Sequence, residues 1–393
     1  MKNLSYSKIS FSVSGKIIFV VFCSLFLSLQ IFAVPGRLDL KFPQVLANGA
    51  SVRAIEIQPD GKILIAGEFS TRGAILRQDV ARLNADGSLD PTFNIGSGAN
   101  NGEISVMKLQ SDGKILIGGF FNNINGVFVS PVARLNTDGS LDTTFNLAGI
   151  NVTFAFDLDI QADGKILISA MNSIGTSFVA RLNVNGGWDS SFNFPFYGAG
   201  NNSFKVAFAP SENKIYVGGN FSSTVNQIEY RGLARLNLNG TVDTSFAITV
   251  NYSQFGLIVD VEPLPNGKLL VWGKFDTVNG VTRRNLAIIN SNGSLDTSFN
   301  PATRGTEIIL SVAVQSDRKI IVGGSNFTSN TFLRGNIARL NADGTVDTTF
   351  NQGRGANAAV RTVKIQGNNK LLIGGDFFRY NSFPRRALAQ INL

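Results

Sequence analysis

Stretches that alternate apolar and polar residues recur along the chain, each followed closely by an unbroken apolar run. The first clear pair is VRAIEI at residues 52–57 and KILIAG at 62–67. Alternation is the pattern of a half-buried strand, and a short continuous run suits a strand covered on both faces. DVARLN at 79–84 and SLDPTF at 88–93 complete the unit. Pro59-Asp60-Gly61 separates the first two stretches and Ala85-Asp86-Gly87 the last two. Asp-Gly is a hairpin signal because glycine takes a positive φ without steric cost. The pattern predicts four short antiparallel strands per unit.

The unit repeats. QPDGKILIAGEF at Gln58 returns as QSDGKILIGGFF at Gln110 and QADGKILISAMN at Gln161, and looser copies begin at Ala209, Pro263, Gln315 and Gln366. One lysine holds the same place in all seven copies: Lys62, Lys114, Lys165, Lys214, Lys268, Lys319 and Lys370, at spacings of 49 to 54 residues. A second phrase, ARLNADGSLDPTFN at Ala81 and ARLNTDGSLDTTFN at Ala133, follows each first one. The seventh copy breaks off as AQINL after Ala389, lacking its LDxxF, while GRLDLKF at residues 36–42 carries that piece alone. Residues 37–393 amount to seven units of 51. An all-β, seven-bladed β-propeller of four-stranded antiparallel blades follows, closed by the N-terminal strand completing the last blade.

The DGKIL-[IV]-x-G-x-F core and the ARLNxDGSLDxxF tail resemble the delta-60 repeat family, known chiefly from bacterial exported proteins. The resemblance covers essentially everything after the first 33 residues. It implies a propeller-like fold and brings no established activity, ligand or catalytic residue.

Those first 33 residues have a different character. Lys2, Lys8 and Lys16 precede the apolar run at 17–33, no acid occurs before Asp39, and Ala33 is small. This reads as a secretory signal, with residues 34–393 as one propeller domain; an uncleaved anchor helix is the alternative. Cleavage would remove Cys23, the single cysteine, and three lysines, lowering the formal charge from +8 to +5. The expected location is the cell envelope or the medium, with membrane contact only through the signal segment if it stays uncleaved. The mild positive charge suits an anionic partner but is no nucleic-acid signature.

The short turns of every copy share one face. The second-to-third loops and the connections between blades share the other and vary, so binding is expected there. That face is rich in arginine, which grips carboxylate, sulfate or phosphate. The candidate ligand-binding residues are Arg77, Arg231, Arg284, Arg334, Arg379 and Arg386, with Tyr230 and Tyr380 to stack on a glycan or peptide. Repeat geometry is the competing explanation, because an arginine falls three or four residues before the alanine of the second phrase in five of seven copies. A separate column, Arg82, Arg134, Arg181, Arg235 and Arg339, is expected to pair with the recurring aspartates Asp39, Asp90, Asp142, Asp189, Asp243, Asp296 and Asp347.

The chain has no histidine. That excludes Ser-His-Asp and Cys-His catalysis, histidine bases and the usual zinc sites. No catalytic residue, metal site or cofactor is indicated: the Asp-Gly turns lack calcium-loop spacing, and Gly96-Ser97-Gly98 opens no helix. Two readings remain. One is a non-catalytic exported scaffold that binds an extracellular protein or glycan on the variable face. The other is a carbohydrate-active enzyme, hydrolase or lyase, with two carboxylates at the propeller mouth, drawn from Glu68, Asp79, Glu103, Glu229, Asp276, Glu307 and Asp376.

Overall fold

The computed structural model describes residues 10–13, 16–19 and 34–393, apart from 48, 100–101, 197, 200–203, 252–256, 302, 304–306, 327–334, 351–352 and 368. Two compact units are present, Met1–Ala33 and Val34–Leu393. The first contains a hairpin of Ser10–Val13 with Lys16–Phe19. Most of the apolar run at 17–33 lies outside the described residues. Among the described residues, no helix is long and apolar enough to cross a membrane.

Among the described residues of the second unit, each of the seven repeats forms one principal antiparallel sheet, as its sequence pattern requires. In the first, the inner strand Ser51–Ile57 pairs with the middle strand Ile63–Ser70, which pairs with the outer strand Gln78–Leu83. The seventh is built alike from Val360–Gln366, Lys370–Gly375 and Leu388–Asn392. The middle strands are the continuous apolar runs, and Ile63, Leu64 and Ile65 are fully buried. Each inner strand packs against the next, and that of the seventh repeat against that of the first. The first and last sheets also share one apolar cluster, in which Val52 and Ile65 meet Leu372 and Leu388. The all-β propeller arrangement of seven repeats is therefore present.

The predicted fourth strand is not. LDxxF contributes one bridge to its sheet, Leu83 with Leu89 in the first repeat and Leu135 with Leu141 in the second, so most sheets have three strands. The cause is local. Asp90 accepts hydrogen bonds from the Thr92 amide (2.9 Å) and hydroxyl (2.6 Å), which bends the chain into a turn where a ladder would have to continue.

The recurring aspartate meets both recurring cations. Asp142 Oδ2 lies 2.8 Å from Arg134 Nε and 2.8 Å from Lys114 Nζ. Asp90, Asp189, Asp243 and Asp347 repeat this pairing with Arg82, Arg181, Arg235 and Arg339 and the lysine of the same copy. Each arginine also lies over the phenylalanine that ends its tail, as Arg134 does 4.9 Å from the Phe145 ring centre. In four of them a far nitrogen reaches the following repeat: Arg82 donates to the Thr137 carbonyl (2.6 Å), Arg134 to that of Val184 (2.7 Å), Arg235 to that of Ser291 (2.6 Å) and Arg181 to that of Leu238. The column thus ties a turn to its own sheet and that sheet to its neighbour. Burial alone would raise the Asp142 carboxyl, but hydrogen bonds from Lys114, Thr144 and Arg134 outweigh it and hold the group well below the ordinary range.

The segment at 36–42 lies against the last strand. Leu38 bridges to Ile391, the Asp39 amide donates to the Gln390 carbonyl (2.8 Å), and the Asn392 amide donates to the Arg37 carbonyl (2.9 Å). Asp39 Oδ2 sits 2.6 Å from Lys370 Nζ, the pairing other repeats make within one copy. Phe42 is buried against Gly87, whose φ is +88°; a Cβ there would come within 2.4 Å of the ring.

Candidate functional site

The variable face divides the arginines and tyrosines singled out from the sequence into internal and surface groups. Arg77 is buried, and its guanidinium donates to the carbonyls of Phe93 (2.6 Å), Leu76 (2.8 Å) and Pro91 (3.0 Å). Tyr230 is fully buried; it belongs to the strand Ile228–Leu236, which continues the long hairpin begun by Lys214–Val225, and its ring packs 6.1 Å from Phe196. Tyr380 is also fully buried, and its hydroxyl donates to the Gly36 carbonyl (2.8 Å). Neither tyrosine offers a face for stacking, because each lies within an apolar cluster. Arg231 stands in the same hairpin, opposite Ser222. Arg284 is half-exposed, 3.8 Å from Asp276. Arg334 lies outside the described residues.

Arg379 and Arg386 do come together. With Phe378, Pro384, Gly49 and Ala50 they line a depression of about 470 Å³ beside Asp376. A two-residue hairpin, Arg379–Tyr380 with Phe383–Pro384, presents this rim. Buried Tyr380 anchors it, which leaves Arg379 and Phe378 on the outside.

Several of the acids considered for two-carboxylate chemistry are already engaged. Glu103 pairs with Arg53 at 2.7 Å, and Asp376 with Arg361 at 2.7 Å while accepting from Ser51 Oγ. Asp79 accepts the Ala99 amide at 2.8 Å, and burial pushes its carboxyl up to about 6. Glu229 accepts from Ser222 Oγ at 3.3 Å.

Sequence reasoning missed a second concavity. The inner strands of all seven repeats line a cavity of about 700 Å³ whose wall is charged. The signal was present: Asp157 and Asp159 in FAFDLDI, and Asp260 and Glu262 in LIVDVEP, stand two residues apart on strands, and that spacing directs both members to one side. Six of the seven inner strands carry a register shift, as between Val52 and Ala54. Such a bulge re-aims a side chain, and Arg53, Ser105 and Arg361, at the shifts of their strands, line the cavity. The wall includes Arg53, Lys108, Lys205, Arg361 and Lys364 beside Glu56, Asp157, Asp159, Asp260 and Glu262.

Most of these charges are matched. Lys364 meets Glu56 at 2.8 Å, Lys108 meets Asp159 at 3.2 Å and Lys205 meets Asp157 at 3.9 Å. Asp157 and Asp159 also accept the Val206 (3.0 Å) and Phe208 (2.7 Å) amides of the next repeat. Burial, reinforced by Asp157, holds the Asp260 carboxyl well above the ordinary range. Burial also raises Glu262, against the pull of Lys108 and Lys364.

A comparison with curated proteins finds no match. Among solved structures, two of virginiamycin B lyase from Staphylococcus aureus, one of them a catalytically inactive form with quinupristin, each superpose with a TM-score of 0.52 at 11% identity, covering 89% of this chain and 98% of the other. A protein of unknown function from Bacteroides caccae aligns at 16% identity and a TM-score of 0.38, over 63% of this chain and 81% of the other. These likenesses concern the fold alone. The model of one family matches residues 58–93, 110–145, 161–192, 211–246, 264–299, 315–350 and 366–393, seven segments that together make up more than half of the chain. Those segments coincide with the seven copies of the lysine core and, in the first six, with the tail that follows it, and on that ground the chain belongs to the family described as a domain of unknown function (DUF5122) beta-propeller.

Proposed function

We propose that this protein is an exported, non-catalytic scaffold of the delta-60 kind, which binds an anionic glycan or extracellular protein on its variable-loop face. In this reading residues 1–33 are a cleaved signal, and residues 36–42 complete the seventh blade as its fourth, outermost piece. The single observation that carries the binding reading is the convergence of Arg379 and Arg386 with exposed Phe378 around one depression. Two guanidinium groups beside an apolar ring suit a sulfated or carboxylated sugar, or an acidic peptide with an apolar residue. The inward-turned Asp-Lys-Arg column supports the scaffold reading, because it commits the most regular charged residues to internal contacts. A rigid frame under variable loops is a common way to hold such a site.

A glycan and polyanion array on the purified protein tests this. An acidic hit is expected, with affinity falling at least roughly tenfold in the Arg379→Ala/Arg386→Ala variant, as for the loss of charge-assisted hydrogen bonds. Unchanged binding by that variant would overturn the site. Turnover of a bound glycan that a single acid substitution abolishes would overturn the non-catalytic reading.

A further inference from the structure

Repeats one, five and six place a residue with left-handed backbone at the start of the outer strand: Asp79 (φ +62°), Asn285 (+62°) and Asn336 (+61°). Asparagine is a natural occupant of that conformation, because its short polar side chain bonds locally. In both asparagine copies the side chain fastens the segment that leads into the next repeat. Asn285 Nδ2 donates to the Glu307 carbonyl (3.0 Å), and Asn336 Nδ2 to the carbonyls of Ala356 (3.2 Å) and Ala358 (3.0 Å).

Repeat one builds the same frame around an acid. Its connection reads GSGAN at 96–100, against GRGAN at 353–357 after repeat six. Ala99 bridges to Ile124 of the next rim hairpin, as Ala356 bridges to Tyr380. The Asn125 amide donates to the Gly98 carbonyl (3.0 Å), as that of Asn381 does to Gly355 (2.7 Å). Ala99 is thus the counterpart of Ala356, but its hydrogen bond runs the other way: the Ala99 amide donates to Asp79 Oδ2 at 2.8 Å. An ionised carboxyl only accepts, whereas a protonated one also carries an O–H donor.

The surroundings disfavour the ion. Gly98 lies so close that a Cβ on it would stand 2.6 Å from Asp79 Oδ2, which leaves no room for a counter-ion on that side. The connection at 95–99 has no charged residue. Glu68 on the middle strand adds repulsion, and Glu103 on the next inner strand is already paired with Arg53. Burial, helped by Glu68, raises the carboxyl to about 6 against the pull of the Ala99 amide.

We infer that Asp79 is a proton-operated clasp between repeat one and the rim of repeat two. When it takes up a proton from solvent, the new O–H donates to the Ala99 carbonyl, as the Asn336 amide does to Ala356, while the other oxygen keeps the Ala99 amide. Ionised, it holds the amide only. The clasp therefore tightens on acidification and steadies the rim hairpin that Ala99 joins through Ile124. Arg379 and Arg386 take no part in it, so array binding on the variable face reports separately.

Thermal unfolding of the intact protein and of Asp79→Asn across pH tests the clasp. The variant carries the donor at every pH, and all other titrating groups cancel in the difference between the two proteins. Asp79 costs the fold nothing below its ordinary value of 3.8, and the cost grows as pH rises to about 6 and stays constant above. The variant is thus expected to melt roughly 2 °C or more above the wild type at about pH 7.5, with the gap closing at about pH 4. Exchange of the 95–99 amides, corrected for intrinsic rate, should be slower at about pH 5 than at about pH 7.5 in the wild type only. A gap that does not change with pH would reflect no more than the better fit of asparagine to this backbone, and it overturns the clasp. Equal melting at the higher pH, or exchange that responds to pH alike in both proteins, overturns it as well.

Discussion

Removing residues 36–42 is expected to lower the melting temperature by roughly 10 °C or more and to make the protein prone to aggregate. The segment buries Leu38 and Phe42 and supplies Asp39 to Lys370. Burial of two large apolar side chains contributes about 3–6 kcal/mol, a large share of the stability of an ordinary domain. Its loss also uncovers Gln390 and Asn392, whose backbone groups the segment engages, and an unpaired edge is a template for association. Thermal unfolding with light scattering checks this; an unchanged melting temperature in a soluble protein would count against it.

Arg134→Ala should destabilise the fold by about 2–4 kcal/mol and leave ligand binding on the variable face unchanged. Arg134 is nearly buried, pairs with Asp142, lies over Phe145 and reaches across to Val184. The residual Lys114–Asp142 pair keeps the cost below that of stranding a buried charge altogether. Repeat five is a natural control. It has Ile288 where Arg134 stands, and its Asp296 keeps Lys268 as partner but is more exposed, 12% against 4% for Asp142. Arg134→Ile should therefore be milder than Arg134→Ala. Denaturant midpoints measure the ordering. Full stability in Arg134→Ala with lost binding would contradict the structural assignment.

The sequence made the repeat, the strands and the arginine–aspartate column legible because each depends on local pattern or on residues that recur in register. Lys114 recurs just as faithfully, yet its partner was not evident, since no spacing rule says that one carboxylate serves two cations. The outermost strand was overcalled because SLDPTF has strand composition, whereas the Asp90 side chain bends it. Tyr230 and Tyr380 read as loop residues, but each stands on a strand of a hairpin, Ile228–Leu236 or Arg379–Tyr380, at a position that is fully buried. The cavity acids were visible as alternating carboxylates on inner strands. What the pattern could not give was the cavity itself, which exists only once all seven inner strands are brought around it.

The account rests most heavily on the segment at 36–42 belonging to the last sheet. Native-state hydrogen exchange on the intact protein reads this directly. The amides of Gly36 and Asp39, which donate to Asn392 and Gln390, are predicted to exchange as slowly as those of the strand Lys370–Gly375. Exchange of both at the rate of an unstructured chain, with the rest of the sheet protected, would contradict the account.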